Sequence, residues 1–403
     1  MPKFWIALGL TAAWLAMPVT AKTIAIEPGD NVQEEVQEAL ILAEPGDVIA
    51  LGEGRFNFTV SLSLDVDGVT IRGKGMDKTI LSFKDQDAGA EGLIITSDKV
   101  VCEDFAVEDS KGDAIKAKGS NGIFFIRVRT EWTGGPKETN GAYGLYPVEC
   151  KDVLIDGCVA IAASDAGIYV GQSENIIVRN SRAEYNVAGI EIENSWGADV
   201  YDNVATHNTG GILVFDLPGL PKQGGRDVRV FRNEIVNNDT KNFAPAGNIV
   251  ATVPTGTGLQ IMANRNVEVF DNKIHNNQST SISIISYFSS GKEVKDESYD
   301  PYPSQIHIHN NDIAGGGTDP QGLIKAIVVP LVNGDVPDIM WDGIVKEGVE
   351  NPEIYIVNNG DADFANLDLG RAISDPKAAR VTRDLAPHKG SLPALKPIVI
   401  EGA

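Results

Sequence analysis

Side chains that can move protons stand at matching places in successive copies of one short pattern, a strand of the form Gly-Ile-x-φ-x. In chain order the first x is Lys116, Tyr146, Tyr169, Glu191, Leu213, Gln260 and Ser283. The second, two residues on, is Lys118, Val148, Gly171, Glu193 and Phe215. Alternate residues of a strand share a face. Both rows are therefore expected on the outside of one sheet, in solvent, with lysines at one end, tyrosines next and glutamates beyond. Such a groove has the parts for removing a proton beside a sugar carboxylate. Lys116 and Lys118 would neutralise the acid, and Tyr146, Tyr169 or Glu191 would serve as base or acid. Tyr143, Glu193, Trp132 and Trp196 complete a substrate-binding set, with Glu131 and Asp216 in the walls. The same residue types are common on any solvated strand, where Lys–Glu pairs are worth little. Surface decoration therefore competes with binding and catalysis for one pattern.

A second outward row runs Arg179, Tyr201, Phe231, Phe270, His309. Four stacked rings would bind a sugar or a partner, or lie under the chain's own loops or tail. His307 and His309 share a strand face, but the other nearby histidine, His275, lies past a bend in its own coil. Two histidines without a third ligand make a weak metal site, so no metal is expected there, and Glu268 is placed on exposed surface. Calcium at turn carboxylates such as Asp202 and Asp271 is the one cofactor left open, without a Gly-Asp nonapeptide motif to support it.

Positioning these side chains requires a regular scaffold, and the sequence repeats. "AGIYVGQSENIIVRNSRAEYNV" begins at Ala166 and "AGIEIENSWGADVYDNVATHNT" follows at Ala188. Each unit holds short alternating strands broken by Gly, Asn or Asp turns, and a period in the twenties without a helix means a solenoid of β coils. An inward pair recurs as Val153/Ile155, Ile176/Val178, Ala198/Val200, Val228/Val230, Val267/Val269 and Ile306/Ile308. Three residues after its second member comes the column Cys158, Ser181, Asn203, Asn233, Asn272, Asn311, Asn359. Its asparagines predict a ladder that satisfies buried turns. At the start, Val32, Val36 and Leu40 lie at helical spacing, which predicts a helix covering the open edge of the first coil.

From roughly Thr23 to Asn359 the chain resembles the right-handed parallel β-helix proteins: pectate lyases, alginate epimerases and the carbohydrate-binding/sugar-hydrolase repeat group. The resemblance implies an all-β fold, a single right-handed parallel β-helix of about ten coils with an N-terminal capping helix and an irregular C-terminal tail. In the mannuronan epimerases a comparable strand reads Tyr-Gly-Phe-Asp-Pro-His-Glu, with a further Asp on the next coil, and its Tyr, Asp and His share the catalytic work. Here the frame reads Tyr143-Gly144-Leu145-Tyr146-Pro147-Val148-Glu149. Tyr146 stands for the Asp, Val148 for the His and Gly171 for the next-coil Asp. Valine transfers no proton, so the epimerase mechanism is not available on this face.

The net charge of −22 repels nucleic acid, and also polyanionic sugars unless cations intervene. Lys3, the apolar run Phe4 to Met17 and Val19-Thr20-Ala21 read as an export signal over residues 1–21. A periplasmic or secreted product follows, with no later segment apolar for long enough to span a membrane. The β-helix is expected over 22–360, and a tail packed on or capping the solenoid over 361–403. Cys102, Cys150 and Cys158 are an odd set, and Cys102 and Cys158 fall on inward positions, so buried free thiols are expected. The expected function is recognition of a polysaccharide or glycan on the strand face, with lyase or epimerase activity as its catalytic form. The alternative is a non-catalytic periplasmic accessory or protein-binding scaffold, for example in metalloenzyme maturation.

Overall fold

The computed structural model describes residues 21–374 and 378–402; apart from Ala21, the expected export signal lies outside them. Among the described residues, the strands form three sheets of twelve, ten and eleven strands. Sheet I runs from Thr23–Ile26 to Ile354–Val357, sheet II from Gly54–Asn57 to Asp312–Ala314, and sheet III from Val60–Leu64 to Phe364–Asn366. The chain visits I, II and III in turn and then starts the next coil, as in Glu174–Arg179, Arg182–Glu184, Ala188–Glu193 and Trp196–Tyr201. Successive coils pair in parallel: Ile176 faces Ala198 in sheet I, and Tyr169 faces Glu191 in sheet III. This is the right-handed parallel β-helix that the repeat predicted.

The inward pairs of sheet I form the core, with Val153, Ile155, Ile176, Val178, Val228 and Val230 sealed from solvent. The predicted ladder stands beside them. Asn203, Asn233, Asn272 and Asn311 each donate to the Oδ1 of the next member and to a carbonyl of the preceding coil. The residue before each rung turns the chain through left-handed backbone; Asp202 (φ 55°) and Asp271 (φ 55°) are short polar side chains that tolerate it, and Arg232 (φ 53°) is held there by the ladder itself. A second ladder, Asn186, Asn208, Asn238 and Asn277, lines the turn into sheet III and was not anticipated. It explains the Gly of the Gly-Ile motif. A Cβ on Gly167, Gly189 or Gly258 would come within 2.6–2.8 Å of a ladder amide nitrogen.

The helix Val32–Leu42 caps the first coil and buries Val32, Val36, Ala39 and Leu40. At the other end the tail returns along the outer face of sheet I. His388 Nδ1 lies 2.9 Å from the carbonyl of Ile354, Leu395 N–H donates to Glu268, Ile398 N–H donates to Asp199, and Ile400 packs on Leu154 and Ile177. All three cysteines are buried and free; burial pushes the thiols up, to about 11 for Cys150 and about 12 for Cys158.

Candidate functional site

Sheet III aligns the predicted rows one coil apart: Lys116 faces Tyr146, Tyr169 faces Glu191, and Glu191 faces Leu213. Lys118 faces Val148, Val148 faces Gly171, and Gly171 faces Glu193. The expected exposure is wrong for most of this face. Segments 216–225, 237–256 and 286–303, inserted between strands, fold over its middle. They supply Leu217, Phe243, Val250, Val253, Tyr287 and Tyr299 to an apolar cluster with Tyr169, Leu213, Phe215 and Met262. Tyr169, Glu191 and Glu193 are buried beneath this cover, and Val148, expected in solvent, is 4% exposed. Only the lysine end stays accessible, with Lys118 exposed and Lys116, Tyr143 and Tyr146 partly so.

Where the cover ends, three tyrosines converge. The rings of Tyr143 and Tyr146 are 4.3 Å apart, Tyr143 and Tyr169 4.6 Å, and Tyr146 and Tyr169 5.0 Å. Lys116 Nζ sits 5.0 Å over the Tyr146 ring. Behind them the Tyr169 hydroxyl donates to Glu193 Oε1 at 2.6 Å. Asn248, from a covering segment, donates to Asp165 Oδ2 at 3.0 Å.

Burial sets the protonation of this cluster. It pushes Asp165 up to about 7, with the Glu193 charge adding to the rise and Asn248 opposing it. Glu193 also rises to about 7 through burial, with the Tyr169 hydroxyl opposing. Glu191 has neither oxygen hydrogen-bonded, and burial, then Glu193 and Asp165, hold it protonated well above the carboxylate range. Burial raises all three tyrosines, so they are hydrogen-bond and proton donors; of the two roles expected of Tyr146 and Tyr169, acid fits and base does not. Asp165, Glu191 and Glu193 raise one another, so they hold their protons as a coupled group rather than singly.

The cationic end expected from Lys116 and Lys118 is neutralised. Lys116 lies 3.4 Å from Glu91 and 3.7 Å from Asp113, and Lys118 lies 4.0 Å from Glu149. The two tryptophans are placed for other work. Trp132 is buried and donates to the Ser110 carbonyl at 2.8 Å. Trp196, on sheet I, is flanked by Lys222 and Arg226, 4.5 and 3.9 Å from its ring. Asp216 spends its carboxylate on the amides of Gly224 and Gly225, which fixes a covering segment.

Asp165 and Asp113 were missed by the sequence reading. Asp165 directly precedes the strand Ala166–Gly171, and Asp113 stands two residues before the strand Ile115–Lys118. Carboxylates flanking strand starts were the available signal.

On sheet I, Tyr201, Phe231, Phe270 and His309 stack at 4.9, 4.8 and 5.3 Å. Ile398 and Ile400 of the tail pack beside Tyr201. Glu268 is not on open surface: it is 9% exposed, lies 3.2 Å from His309 Nε2 and accepts the Leu395 N–H. It groups with His307 and His309, a third side chain able to ligate a metal, which the sequence reading did not place there.

Among solved structures, the A-module of the Azotobacter vinelandii mannuronan C-5 epimerase AlgE4 is similar, with a TM-score of 0.53 and 14% identity over 82% of this chain and 91% of its own. The A-module of AlgE6 from the same organism matches at 0.50 and 14%, over 82% and 90%. A DFA-IIIase from Arthrobacter chlorophenolicus matches at 0.51 and 11%, over 82% and 96%. At such identities the likeness shows the fold alone. No curated protein matches the chain. The profile described as right handed beta helix region matches residues 67–217 and 113–313, more than half of the sequence. By its coils, its ladders and this match, the chain belongs to the right handed beta helix family.

Proposed function

We propose that this is an exported glycan-recognition protein whose contact surface is the rim formed by Lys116, Tyr146 and Tyr143. One observation carries the reading: three tyrosine rings meet where the cover over sheet III ends, with Lys116 over the Tyr146 ring. Aromatic faces beside hydrogen-bonding groups suit the mixed apolar and polar surface of a sugar ring. The similar solved proteins are named as a mannuronan epimerase and a DFA-IIIase, which supports a carbohydrate ligand.

Electrostatics favours a neutral glycan. The lysines are paired and the chain is strongly acidic, so a uronate polymer would dock only with the ion pairs of Lys116 opened or with calcium between. Lyase or epimerase turnover needs more, because Asp165 and Glu193 are buried and would have to be uncovered before either moved a proton of the sugar. Recognition needs neither.

The test is a panel of neutral and acidic polysaccharides against the purified protein, with and without calcium, read by calorimetry and by the ultraviolet absorbance of unsaturated product. Binding of a neutral glycan that Tyr146→Ala removes supports the proposal. Product absorbance would make the protein a lyase. Silence throughout would sink the proposal in favour of the second reading, a periplasmic accessory to a metalloenzyme, for which the Glu268–His307–His309 cluster is the favouring observation.

A further inference from the structure

We propose that Glu268, His307 and His309 bind one divalent transition-metal ion of the zinc class on the outer face of sheet I, a site independent of the glycan reading. Glu268 lies on the strand Arg265–Phe270 and the histidines on the neighbouring Ser304–His309. The register sets Glu268 beside His307 and Phe270 beside His309. One ligand atom from each residue lies within 4.8 Å of the other two. Metal bonds of about 2.0–2.2 Å put the donors of a tetrahedral centre roughly 3.5 Å apart. Small side-chain rotations close that difference, because the backbone already places all three on one face.

His307 points to a ligand. Its side chain is 8% exposed, yet neither ring nitrogen has a hydrogen-bond partner. Buried polar atoms are paired as a rule, and a buried imidazole with both nitrogens unpaired beside a second imidazole and a carboxylate lacks what a metal would supply. The Glu268 carboxylate is anchored at both oxygens. Its Oε2 accepts the Leu395 N–H at 3.2 Å, and Oε1 lies 3.2 Å from His309 Nε2. The nearby Arg229 does not compete for it, since its Nε donates to Asp199 Oδ1 at 2.7 Å and its Nη2 to Oδ2 at 2.5 Å. His309 is oriented by stacking on Phe270, and its Nδ1 lies 3.1 Å from the Asn310 amide. Turning that amide over presents its oxygen to an Nδ1 proton and frees Nε2 for metal, the usual outer-shell support of a ligating histidine.

Two imidazoles and one carboxylate select zinc, copper, nickel or iron over calcium, which takes oxygen ligands. Three protein ligands leave a position for water or an outside ligand. The tail is tied to one ligand of the site through the Leu395 N–H on Glu268, so metal binding and tail docking share that carboxylate.

The experiment is titration of the chelator-treated full chain with zinc chloride by calorimetry, paralleled by the visible spectrum of the cobalt(II) form. One zinc per chain is expected, with a ligand-field cobalt spectrum and no displacement by excess calcium. His307→Asn and Glu268→Gln should each weaken zinc at least about tenfold and abolish the cobalt spectrum, while His207→Asn changes neither. Zinc should also raise the melting temperature of the unmodified protein, a readout that does not depend on how the variants fold. Absence of stoichiometric zinc binding, retention of it in His307→Asn, or equal loss in His207→Asn would overturn the site.

Discussion

The Tyr169 hydroxyl reaches Glu193 because Gly171, lying between them on the sheet, has no side chain. Tyr169 and Gly171 share a strand face, and Glu193 opposes Gly171 on the next coil. The Tyr169 ring lies over Gly171, where any Cβ would overlap its hydroxyl and ring carbons. The same position would carry the second aspartate of the epimerase pattern. Here an aromatic proton donor occupies that space, and a carboxylate could enter only by evicting it.

Gly171→Ala is therefore expected to push the Tyr169 ring out of its seat and break the bond to Glu193. The cost should be about 1–3 kcal/mol, from overpacking and a lost hydrogen bond to a buried group. Denaturant unfolding and the near-ultraviolet circular dichroism of the tyrosine cluster check this. An unchanged spectrum with unchanged stability would refute the packing described.

Glu193 should make stability depend on pH. Its folded pKa of about 7 lies above its ordinary 4.5. The protonated carboxyl therefore favours the fold below about 4.5, and that contribution is lost as pH rises through about 7. Glu193→Gln cannot ionise, so its stability relative to wild type should increase across that window, by on the order of 1–3 kcal/mol. Parallel pH profiles for the two proteins would show that Glu193 is ordinary.

The ladder is tested by Asn233→Leu. Asn233 accepts from the backbone and side-chain nitrogens of Asn203, and donates to the Val200 carbonyl and Asn272. Removing it strands several buried groups and should cost roughly 2–5 kcal/mol. Glu234→Gln, on the exposed neighbour, should stay within about 0.5 kcal/mol. Similar melting shifts for both would disprove the inward placement of Asn233.

Installing the epimerase side chains, Tyr146→Asp with Val148→His, should destabilise the protein by several kcal/mol. Val148 is buried, and Tyr146 packs against Tyr143 and Tyr169. Burying an imidazole and removing an aromatic contact are each costly. Wild-type melting of the double variant would mean that this rim is looser than its packing indicates.

The coil columns were legible in the sequence because they rest on local rules. Alternation assigns faces, and Asn or Asp marks many of the left-handed turns, though Arg232, Gln172 and Tyr185 turn the same way. The pairs Val267/Val269 and Ile306/Ile308 already set Glu268 beside His307, so a third metal ligand was readable there. Alternation alone puts Glu268 outward and does not say that the face it joins is buried.

Exposure was what the tertiary structure decided. Tyr169 and Glu191 occupy the predicted row and register, and nothing in their own strands says they are buried. Their environment comes from segments 216–225, 237–256 and 286–303, which carry no repeat and are held by contacts distant in sequence, such as Tyr299 to the Asp216 carbonyl, Gln223 to Asp296 and Asn248 to Asp165. The tail likewise returns across the solenoid to cover Leu154, Ile177 and Glu268. Strand period is fixed by backbone geometry within a few residues, whereas the removal of water from a face depends on which distant chain lies over it, and that second factor sets the protonation of the carboxyls beneath.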